Sequence, residues 1–417
     1  MEKLEIQGGS RLSGKISVSG MKNSALPIIF ACLTIPHECV LENIPRVSDV
    51  YNALEILKSM GALAEFCSNN TVIVNTKDAQ PYVGRQDLVC KMRASSYLMG
   101  AMLARFSRAS VAYPGGCNFG ARPLDLHFKG FGDLGAEIEE NDGLIDIKLI
   151  KKPKTNKIIL DKISVGATIN MVLATASLCE EVTIENCATE PHVDDLICFL
   201  NRCGMRIKRC GKSIYVKAPL KNQGTTYKIF PDMIEALTYA TCVGICKGRV
   251  LLENVVCEHL AYVTSLYKQM GFCITEMGNS LLVEAEAVRG GNAVTAPYPL
   301  FPTDLHPQFA SLLCFSQEGG SVRDDVFPTR FAYVNELKKM SARIKRRGNV
   351  AIVSPSRLKG AEIDATDLRA GASLVIAALG AEGTSIINNV NYIVRGYECL
   401  VDKIANIGGK IKIYKEN

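Results

Sequence analysis

The stretch ASLCEEVTIENC, Ala176 to Cys187, joins the end of an apolar helical pattern to a β-branched strand pattern that stops at an asparagine. Before it, small apolar residues recur at helical spacing. After it, VDDLICFLNRCGMRIK (residues 193–208) carries apolar residues at i, i+3, i+4 and i+7 and a glycine near its end. A second alternating segment follows. This order predicts one α/β unit made of a helix, a strand, an amphipathic helix and a closing strand.

The same unit occurs six times along the chain. Its joints begin near residues 31, 104, 176, 243, 313 and 378, so the repeat is about 70 residues long. Five of the six amphipathic helices end near a glycine, which predicts a left-handed C-terminal cap. Six units predict two domains of three units each, with the break in KNQGTTYKIFPD, Lys221 to Asp232.

Composition and charge narrow the class of protein. The 417 residues exceed what one hydrophobic core usually supports, and 47% hydrophobic with 22% charged residues is typical of a globular protein. The net charge of +6 is modest and spread along the chain, so we expect a small anionic substrate rather than a nucleic acid. The basic cluster RIKRRG (residues 343–348) is interpreted as a solvated helix end, with a nucleic-acid patch as the less favoured alternative.

No targeting or membrane-spanning pattern is present in the sequence. The N-terminal MEKLEIQGGSRLSG lacks the apolar segment of a signal peptide, and the longest apolar stretches are too short to cross a bilayer. We therefore expect a cytoplasmic protein without membrane insertion. Sixteen cysteines lack a disulfide framework or a C-x-x-C motif, and the five histidines are scattered. This distribution favours reduced thiols and no metal site.

Chemistry-bearing residues accumulate where the first helix of each unit begins. Free N–H groups and a partial positive charge make such helix starts suitable for anions. Ser164 and Asp232 are equally well explained as N-caps. Lys22, Arg93 and Arg369 oppose the helix dipole, so anion binding is the expected reason for them. The set at these helix starts comprises Lys22, Asn23, Arg93, Ser164, Asp232, Asp304, Asp367 and Arg369.

A cysteine stands apart in YPGGCNFGARPLDLH, Tyr113 to His127. Glycines surround Cys117, and Arg122 follows it, so a loop thiol with a lowered pKa is expected as an acid or nucleophile. Arg122, Arg330 and Arg395 hold equivalent places before the second helices of three units, where fork-shaped guanidinium groups suit phosphate or carboxylate. A histidine-dependent triad is disfavoured, because His127 is expected to belong to the following helix.

Seven motifs, in order along the chain, resemble those of the UDP-N-acetylglucosamine 1-carboxyvinyltransferase family: SGMKNSALPI, MRASSYLMG, PGGCNFGARPLDLH, KISVGATIN, FPTDLHPQ, DLRAGASL and RGYE. The resemblance implies an inside-out α/β barrel fold of two domains, each with three βαβαββ units. It places the first domain at 22–229, with the Cys117 loop, and the second at 1–21 plus 230–417. The active site is expected in the cleft between the two domains.

The resemblance also implies an activity. The enolpyruvyl group of phosphoenolpyruvate would pass to the 3′-hydroxyl of UDP-N-acetylglucosamine with release of phosphate, the first committed step of peptidoglycan precursor synthesis. Cys117 would protonate C3 of the enol and Asp304 would accept the hydroxyl proton, with Lys22 and Arg395 also catalytic. No cofactor, metal, nucleic acid or obligate protein partner is implied. The substrate-binding set is Lys22, Asn23, Arg93, Arg122, Pro123, Leu124, Asp125, Leu126, Lys162, Ile163, Ser164, Val165, Gly166, Asp304, Val326, Arg330, Asp367, Arg369 and Arg395.

The chain departs from the family pattern beside two of the arginines. Pro328 and Thr329 stand where Glu-Asn usually precedes Arg330, and Val394 stands where Asp usually precedes Arg395. Other departures are Met233 for an arginine, His306 for a glutamine and Pro307 for a small residue. Two alternatives remain open: a related enzyme acting on shikimate 3-phosphate, which lacks the cysteine motif, and a weakly active regulatory paralog that binds a UDP-sugar.

Overall fold

The computed structural model describes residues 2–81, 85–115, 123–219 and 221–415. These residues form two compact units. The first unit comprises the described part of 20–230, and the second comprises 2–19 together with 231–415. Within the described residues, no helix combines the length and the apolar character needed to cross a membrane, and the cysteines are free thiols.

The second unit begins with two N-terminal strands, β1 (Glu2–Gln7) and β2 (Leu12–Ser17). The elements of the first unit are α1 (Lys22–Ala31), a 3₁₀ helix (Cys32–Thr34), β3 (Glu38–Glu42), α2 (Ser48–Ser59), β4 (Leu63–Ser68), β5 (Thr71–Asn75), α3 (Gln86–Val89), a 3₁₀ helix (Arg93–Ser96), α4 (Tyr97–Phe106), β6 (Arg108–Ala112), α5 (Asp125–Asp133), β7 (Ala136–Asn141), β8 (Leu144–Leu149), β9 (Lys157–Ile159), α6 (Val165–Leu178), β10 (Glu181–Glu185), α7 (Pro191–Arg202), β11 (Arg206–Cys210), β12 (Ser213–Lys217) and β13 (Thr226–Lys228).

The second unit continues from residue 231. Its further elements are α8 (Met233–Cys246), β14 (Gly248–Glu253), α9 (Cys257–Gln269), β15 (Cys273–Glu276), β16 (Ser280–Ala285), β17 (Gly291–Val294), a 3₁₀ helix (Thr303–Leu305), α10 (His306–Phe315), β18 (Gly320–Arg323), α11 (Tyr333–Lys339), β19 (Arg343–Arg347), β20 (Val350–Ser354), β21 (Glu362–Asp364), α12 (Leu368–Gly380), β22 (Thr384–Asn388), a 3₁₀ helix (Val390–Tyr392), α13 (Leu400–Asn406) and β23 (Lys410–Lys415).

The described residues of each unit form three sheets, one for each repeat. Their strand orders are β13-β3-β5-β4, β6-β8-β7 and β11-β12-β10-β9 in the first unit, and β15-β16-β14-β2, β17-β18-β20-β19 and β21-β22-β1-β23 in the second. Every four-stranded sheet has one parallel pair, such as β9 with β10, while its other pairs are antiparallel. Residues alternate between a buried and an exposed face, as Ile214 and Val216 do beside exposed Tyr215 in β12.

The first helices of the repeats form the centre of each unit. In the first unit α4 packs against α1 and α6, and in the second α8, α10 and α12 contact one another. These helices are mostly buried, and every residue of α8 is buried. Gly100 lets α4 approach α6 closely, because a Cβ there would lie 2.6 Å from the backbone oxygen of Asn170. Buried helices with sheets packed around them form the predicted inside-out arrangement.

The predicted left-handed caps are confirmed. A residue with positive φ follows the second helix of every repeat, and in the fifth repeat this residue is Ser341, with φ of 71°. The other five are Gly61, Gly135, Gly204, Gly271 and Gly408. A non-glycine residue costs free energy in this conformation, so the helix–strand turn itself fixes the backbone at Ser341.

A second recurring joint lies where the central strand of a sheet ends. Asn43, Asn186, Asn254 and Asn389 occupy this place in four repeats and have φ of 62°, 58°, 58° and 58°. In three of them the side-chain amide donates a hydrogen bond to a carbonyl beside the neighbouring parallel strand, namely Ile229 at 3.1 Å, Leu160 at 2.8 Å and Val18 at 2.7 Å. The fifth repeat has Asp324 directly after β18 instead.

The interpretation of residues 343–348 as a helix end is wrong. Helix α11 ends at Lys339, the turn at Ser341 follows, and residues Arg343–Arg347 form β19 at the edge of its sheet. Ile344 is the buried residue of this strand, and its charged neighbours are exposed. Charged residues protect an edge strand from pairing with another chain, which accounts for the basic cluster without a nucleic acid.

Candidate active site

Asp304 lies between two arginines of the second unit. The short helix Thr303–Leu305 carries it just before α10. Its Oδ1 accepts a hydrogen bond from Nη1 of Arg330 at 2.8 Å, and its Oδ2 lies 3.1 Å from both Nε and Nη2 of Arg369. The two arginine side chains are 4% and 3% exposed, whereas that of Asp304 is 29% exposed. The structure therefore brings together three predicted site residues that lie far apart in sequence, and leaves the carboxylate accessible.

Asp367 completes this group as the N-cap of α12. Its Oδ1 accepts hydrogen bonds from the backbone N–H groups of Arg369 at 2.9 Å and Ala370 at 3.1 Å. The same oxygen lies 3.7 Å from Nη2 of Arg330. Asp367 therefore caps the helix and also balances a buried charge. Two carboxylates and two guanidinium groups give the cluster no net formal charge.

The electrostatics of this cluster keep both arginines charged. Burial alone would lower the pKa of Arg330, but the charges of Asp304 and Asp367 outweigh it and raise that pKa above its usual value. Burial likewise opposes the charge of Arg369, while Tyr397 and then Asp304 raise its pKa. The Arg369 guanidinium also lies over the Tyr397 ring, 5.4 Å from its centroid. Two fixed cations therefore hold the Asp304 carboxylate in one position.

Lys22 is paired at the start of α1 in the first unit. Its Nζ lies 2.9 Å from Oδ2 of Asp49, a residue of α2 whose side chain is 4% exposed. Helix α1 has no side-chain N-cap and no acidic residue in its first turn, so Asp49 supplies the negative charge that this helix start lacks. Asn23 is the next residue of α1 and is partly buried. The ammonium group of Lys22 is thereby held at one place, and the Lys22 side chain is 12% exposed.

A second group of predicted residues surrounds His127 in the first unit. His127 is buried in α5, and its Nδ1 lies 2.7 Å from Nδ2 of Asn170 in α6. The amide oxygen of Asn170 already accepts a hydrogen bond from the Gly100 N–H at 2.8 Å, so its Nδ2 is the donor and His127 carries its proton on Nε2. A Cβ on Gly166 would lie 3.1 Å from that Nε2. Burial, and then the charge of Arg93, lower the pKa of His127 to about 3, so the imidazole is neutral.

Most of the remaining predicted residues of the first unit lie at helix starts. Arg93 begins a 3₁₀ helix and donates from Nη2 to the Pro123 carbonyl at 3.4 Å. Leu124 is buried, while Pro123 and Asp125 are exposed and Leu126 is intermediate. Exposed Lys162 precedes four partly buried residues, 163–166, at the start of α6. Ser164 caps this helix, its hydroxyl accepting from the Ala167 N–H at 3.3 Å.

Asp232 also proves to be an N-cap. Its Oδ1 accepts from the N–H groups of Ile234 at 2.8 Å and Glu235 at 3.1 Å at the start of α8. Arg395 is partly buried and precedes α13, and Val326 is 39% exposed after β18. Cys117 and Arg122 lie outside the described residues. Within those residues, no three His, Cys, Asp or Glu side chains are arranged to hold a metal ion.

The altered neighbours of Arg330 and Arg395 lie at the surface. Pro328, Thr329 and Val394 are exposed. Arg330 instead takes its carboxylate partners from Asp304 and Asp367. A carboxylate next to it in sequence is therefore not required to orient its guanidinium group.

Sequence reasoning missed several residues that hold the predicted ones in place. Asp49 stands in the first turn of a helix, where an acidic residue usually serves only the helix dipole. Asn170 lies within an apolar helix, and a buried polar residue there was the signal that could have identified it. Asp324 resembles an ordinary residue at a strand end. Asp49 and Asp324 belong to no motif, whereas Asn170 is the last residue of KISVGATIN.

Comparison with known proteins defines the class first. A family model described as EPSP synthase (3-phosphoshikimate 1-carboxyvinyltransferase) matches residues 6–404. The UDP-N-acetylglucosamine 1-carboxyvinyltransferase of Halothermothrix orenii is 42% identical over 417 residues, with 100% of both chains covered. That of Clostridium botulinum is 42% identical over 416 residues, with 99% of both covered. The chain belongs to the UDP-N-acetylglucosamine 1-carboxyvinyltransferase family and is a transferase.

Solved structures share the fold. The enolpyruvyl transferase NikO from Streptomyces tendae superposes with a TM-score of 0.89 at 23% identity, covering 100% of this chain and 99% of that one. An EPSP synthase from Acinetobacter baumannii gives a TM-score of 0.77 at 16% identity, with 100% of both chains covered. These similarities confirm the predicted enolpyruvyl transferase fold.

Proposed function

We propose that this chain transfers the enolpyruvyl group of phosphoenolpyruvate to the 3′-hydroxyl of UDP-N-acetylglucosamine. The relatives that are about 40% identical over their full length carry that name. The observation that supports the chemistry is the accessible Asp304 carboxylate held by buried Arg330 and Arg369. Such an arrangement holds a carboxylate at a fixed position, where it can serve as the proton acceptor.

The proposed reaction proceeds by addition and elimination. Cys117 donates a proton to C3 of phosphoenolpyruvate, the sugar 3′-hydroxyl oxygen bonds to C2, and Asp304 takes the hydroxyl proton. The resulting tetrahedral intermediate then loses a proton from C3 and breaks its C2–O bond to phosphate, which leaves as inorganic phosphate. A positioned acid or base contributes about 10² to 10⁴ in rate.

Two sets of side chains would bind the substrates. Lys22, Asn23, Arg122 and Arg395 would bind phosphoenolpyruvate, and the Lys22 ammonium held by Asp49 supports this assignment. The groups around His127, including Arg93 and residues 123–126 and 162–166, would bind the UDP-sugar, together with Val326. Both substrates are small molecules, and the cytoplasmic location expected from the sequence belongs to this proposal.

The test is an assay of phosphate release by the purified chain. Phosphoenolpyruvate is supplied with UDP-N-acetylglucosamine, with shikimate 3-phosphate or with no acceptor. We expect phosphate release with the UDP-sugar and none with shikimate 3-phosphate or without an acceptor. Phosphate release with shikimate 3-phosphate but not with the UDP-sugar would identify the alternative acceptor. Binding of the UDP-sugar without any phosphate release would contradict the proposal and favour the regulatory paralog. Asp304→Asn, which keeps the side-chain shape and removes the proton acceptor, is the matched inactive control.

A further inference from the structure

Asp324 is a fully buried carboxylate that receives hydrogen bonds from two different segments. Its Oδ1 accepts from Oγ1 of Thr295 at 2.7 Å and from the N–H groups of Val326 at 3.0 Å and Phe327 at 2.9 Å. Its Oδ2 accepts from Oγ1 of Thr303 at 2.7 Å. Every one of these partners donates, as a carboxylate requires. One side chain therefore fixes the segment that precedes α10 and the loop that follows β18.

Both segments carry residues of the proposed reaction. Thr303 immediately precedes Asp304, the proposed base, and Val326 belongs to the proposed UDP-sugar site. Arg330 links the same segments a second time, because its Nη1 reaches the Thr303 carbonyl at 3.4 Å and the Asp304 carboxylate at 2.8 Å. A change at Asp324 would therefore move the base and the sugar-binding loop together.

His306 packs beside Asp324 in the core. It is fully buried, with Nε2 2.8 Å from the hydroxyl of Tyr333 and Nδ1 3.4 Å from Oδ2 of Asp324, a contact that does not reach hydrogen-bond geometry. With Tyr333 donating to Nε2, the neutral ring carries its proton on Nδ1, facing the carboxylate. Phe331 packs against the ring with centroids 4.6 Å apart. Burial, and then the charge of Arg330, hold the pKa of His306 well below its usual value.

The repeats show that the fold does not need a carboxylate at this joint. In four repeats an asparagine follows the corresponding strand, and three of these donate from the amide to a nearby carbonyl. A buried carboxylate has a much larger desolvation cost than a buried amide. Asp324 also reverses the polarity of the joint, since its side chain accepts where the amides donate. A role beyond closing the turn accounts for that cost.

We propose that Asp324 and His306 are positioning residues for the transferase reaction, with Asp324 aligning the base Asp304 and the Val326 loop, and His306 packing against Asp324. This inference rests on the proposed function. It assigns a role to His306, a departure from the usual glutamine of the family. A glutamine at this place could donate from its amide to Asp324 and accept from Tyr333.

The test compares steady-state kinetics of four variants with a matched control. Thr303→Val removes one donor at nearly constant volume, and we expect kcat to fall about 10- to 100-fold, because a misplaced reacting group costs about that much. The KM for UDP-N-acetylglucosamine should stay within about threefold in this variant, since the Val326 contact remains. Asp324→Ala should lower kcat and also raise that KM by about tenfold or more. His306→Leu should behave as Thr303→Val does, and His306→Gln should restore kcat to within about threefold of the unaltered chain.

Tyr267→Phe is the control. It removes a buried hydroxyl of the same unit, which lies 2.6 Å from Oγ1 of Thr241 in α8. Thermal unfolding of all variants shows whether a lower kcat comes from lost stability or from misplacement of Asp304 and the Val326 loop. If Thr303→Val and His306→Leu turn over like Tyr267→Phe, the assignment is overturned while the proposed function stands. If the unaltered chain releases no phosphate with the UDP-sugar, the proposed function fails and the assignment fails with it.

Discussion

Nζ of Lys22 lies 2.9 Å from Oδ2 of Asp49, and the two side chains are 12% and 4% exposed. Lys22 begins one helix and Asp49 lies in the first turn of the next. The pair therefore links Lys22, which is proposed to bind phosphoenolpyruvate, to helix α2. Solvent screens such a buried pair far less than a surface pair.

We predict that Asp49→Asn raises the KM for phosphoenolpyruvate about tenfold or more, because Lys22 loses the partner that orients its ammonium group. The measurement is phosphate release at varied phosphoenolpyruvate and saturating UDP-sugar. Glu55→Gln is the matched control on the same helix, since Glu55 pairs with Lys58 at 3.0 Å in an exposed position. An unchanged KM in Asp49→Asn would show that Asp49 does not orient Lys22.

A second prediction concerns the fork formed by Arg369. Its Nε and Nη2 both reach Oδ2 of Asp304, which a lysine cannot reproduce. Arg369→Lys should lower kcat about 10- to 100-fold, the cost expected when a reacting group is misplaced. Arg249→Lys is the control, because the exposed side chain of Arg249 pairs with Glu284 at 3.0 Å. Equal kcat in the two variants would contradict the role given to the fork.

The pH dependence of stability should report His127. Its pKa in the folded chain is about 3, mainly because of burial, whereas an unfolded histidine titrates near 6.5. The neutral ring therefore contributes stability that is fully present above about pH 6.5 and is lost as the pH falls toward 3. Between pH 6.5 and pH 4 this histidine should account for a loss on the order of 3 kcal/mol.

Urea unfolding of the unaltered chain and of His127→Gln from pH 7.5 to pH 4 would measure this loss. The variant should show a smaller decrease in unfolding free energy over that range. His37→Gln is the control, since His37 is solvent-exposed in the same unit. Parallel curves for the unaltered chain and His127→Gln would rule out the proposed buried neutral state.

The resemblance predicts that fosfomycin, an epoxide that mimics phosphoenolpyruvate, alkylates Cys117. Intact mass after incubation with fosfomycin and UDP-N-acetylglucosamine should increase by one molecule of fosfomycin. Cys117→Asp keeps an acidic group but removes the nucleophile, so its mass should not change. A mass increase in that variant would place the reactive group on another residue.

Much of the fold follows from periodicity in the sequence. The spacing of apolar residues predicted both helices of each repeat, and the glycine positions predicted the turns after five of the second helices. Ser341 occupies the sixth such turn without any sequence signal for positive φ. Residues 343–347 were misassigned because charged residues at an exposed edge strand resemble the polar end of a helix.

The candidate site was predictable only where a residue type was unusual for its position. Arg369 at a helix start and Arg330 before a helix indicated anion chemistry, and the structure places both on Asp304. Asp49 and Asp324 gave no such signal, because an acidic residue is ordinary at a helix start or after a strand. Their importance depends on Lys22 and Thr303, which approach them only in the folded chain. Contacts between residues far apart in sequence are not indicated by the spacing of residues within one helix or strand.

The joint after each central strand has a consequence for how this protein could acquire new chemistry. Copies of one unit contain the same joint several times, and four of these joints have an asparagine with positive φ. A substitution in one copy leaves the joints of the other copies unchanged. The joint at Asp324 could therefore change polarity without destabilising the fold. Redundancy among the repeats thus provides the freedom from which an asymmetric function can arise within a repetitive chain.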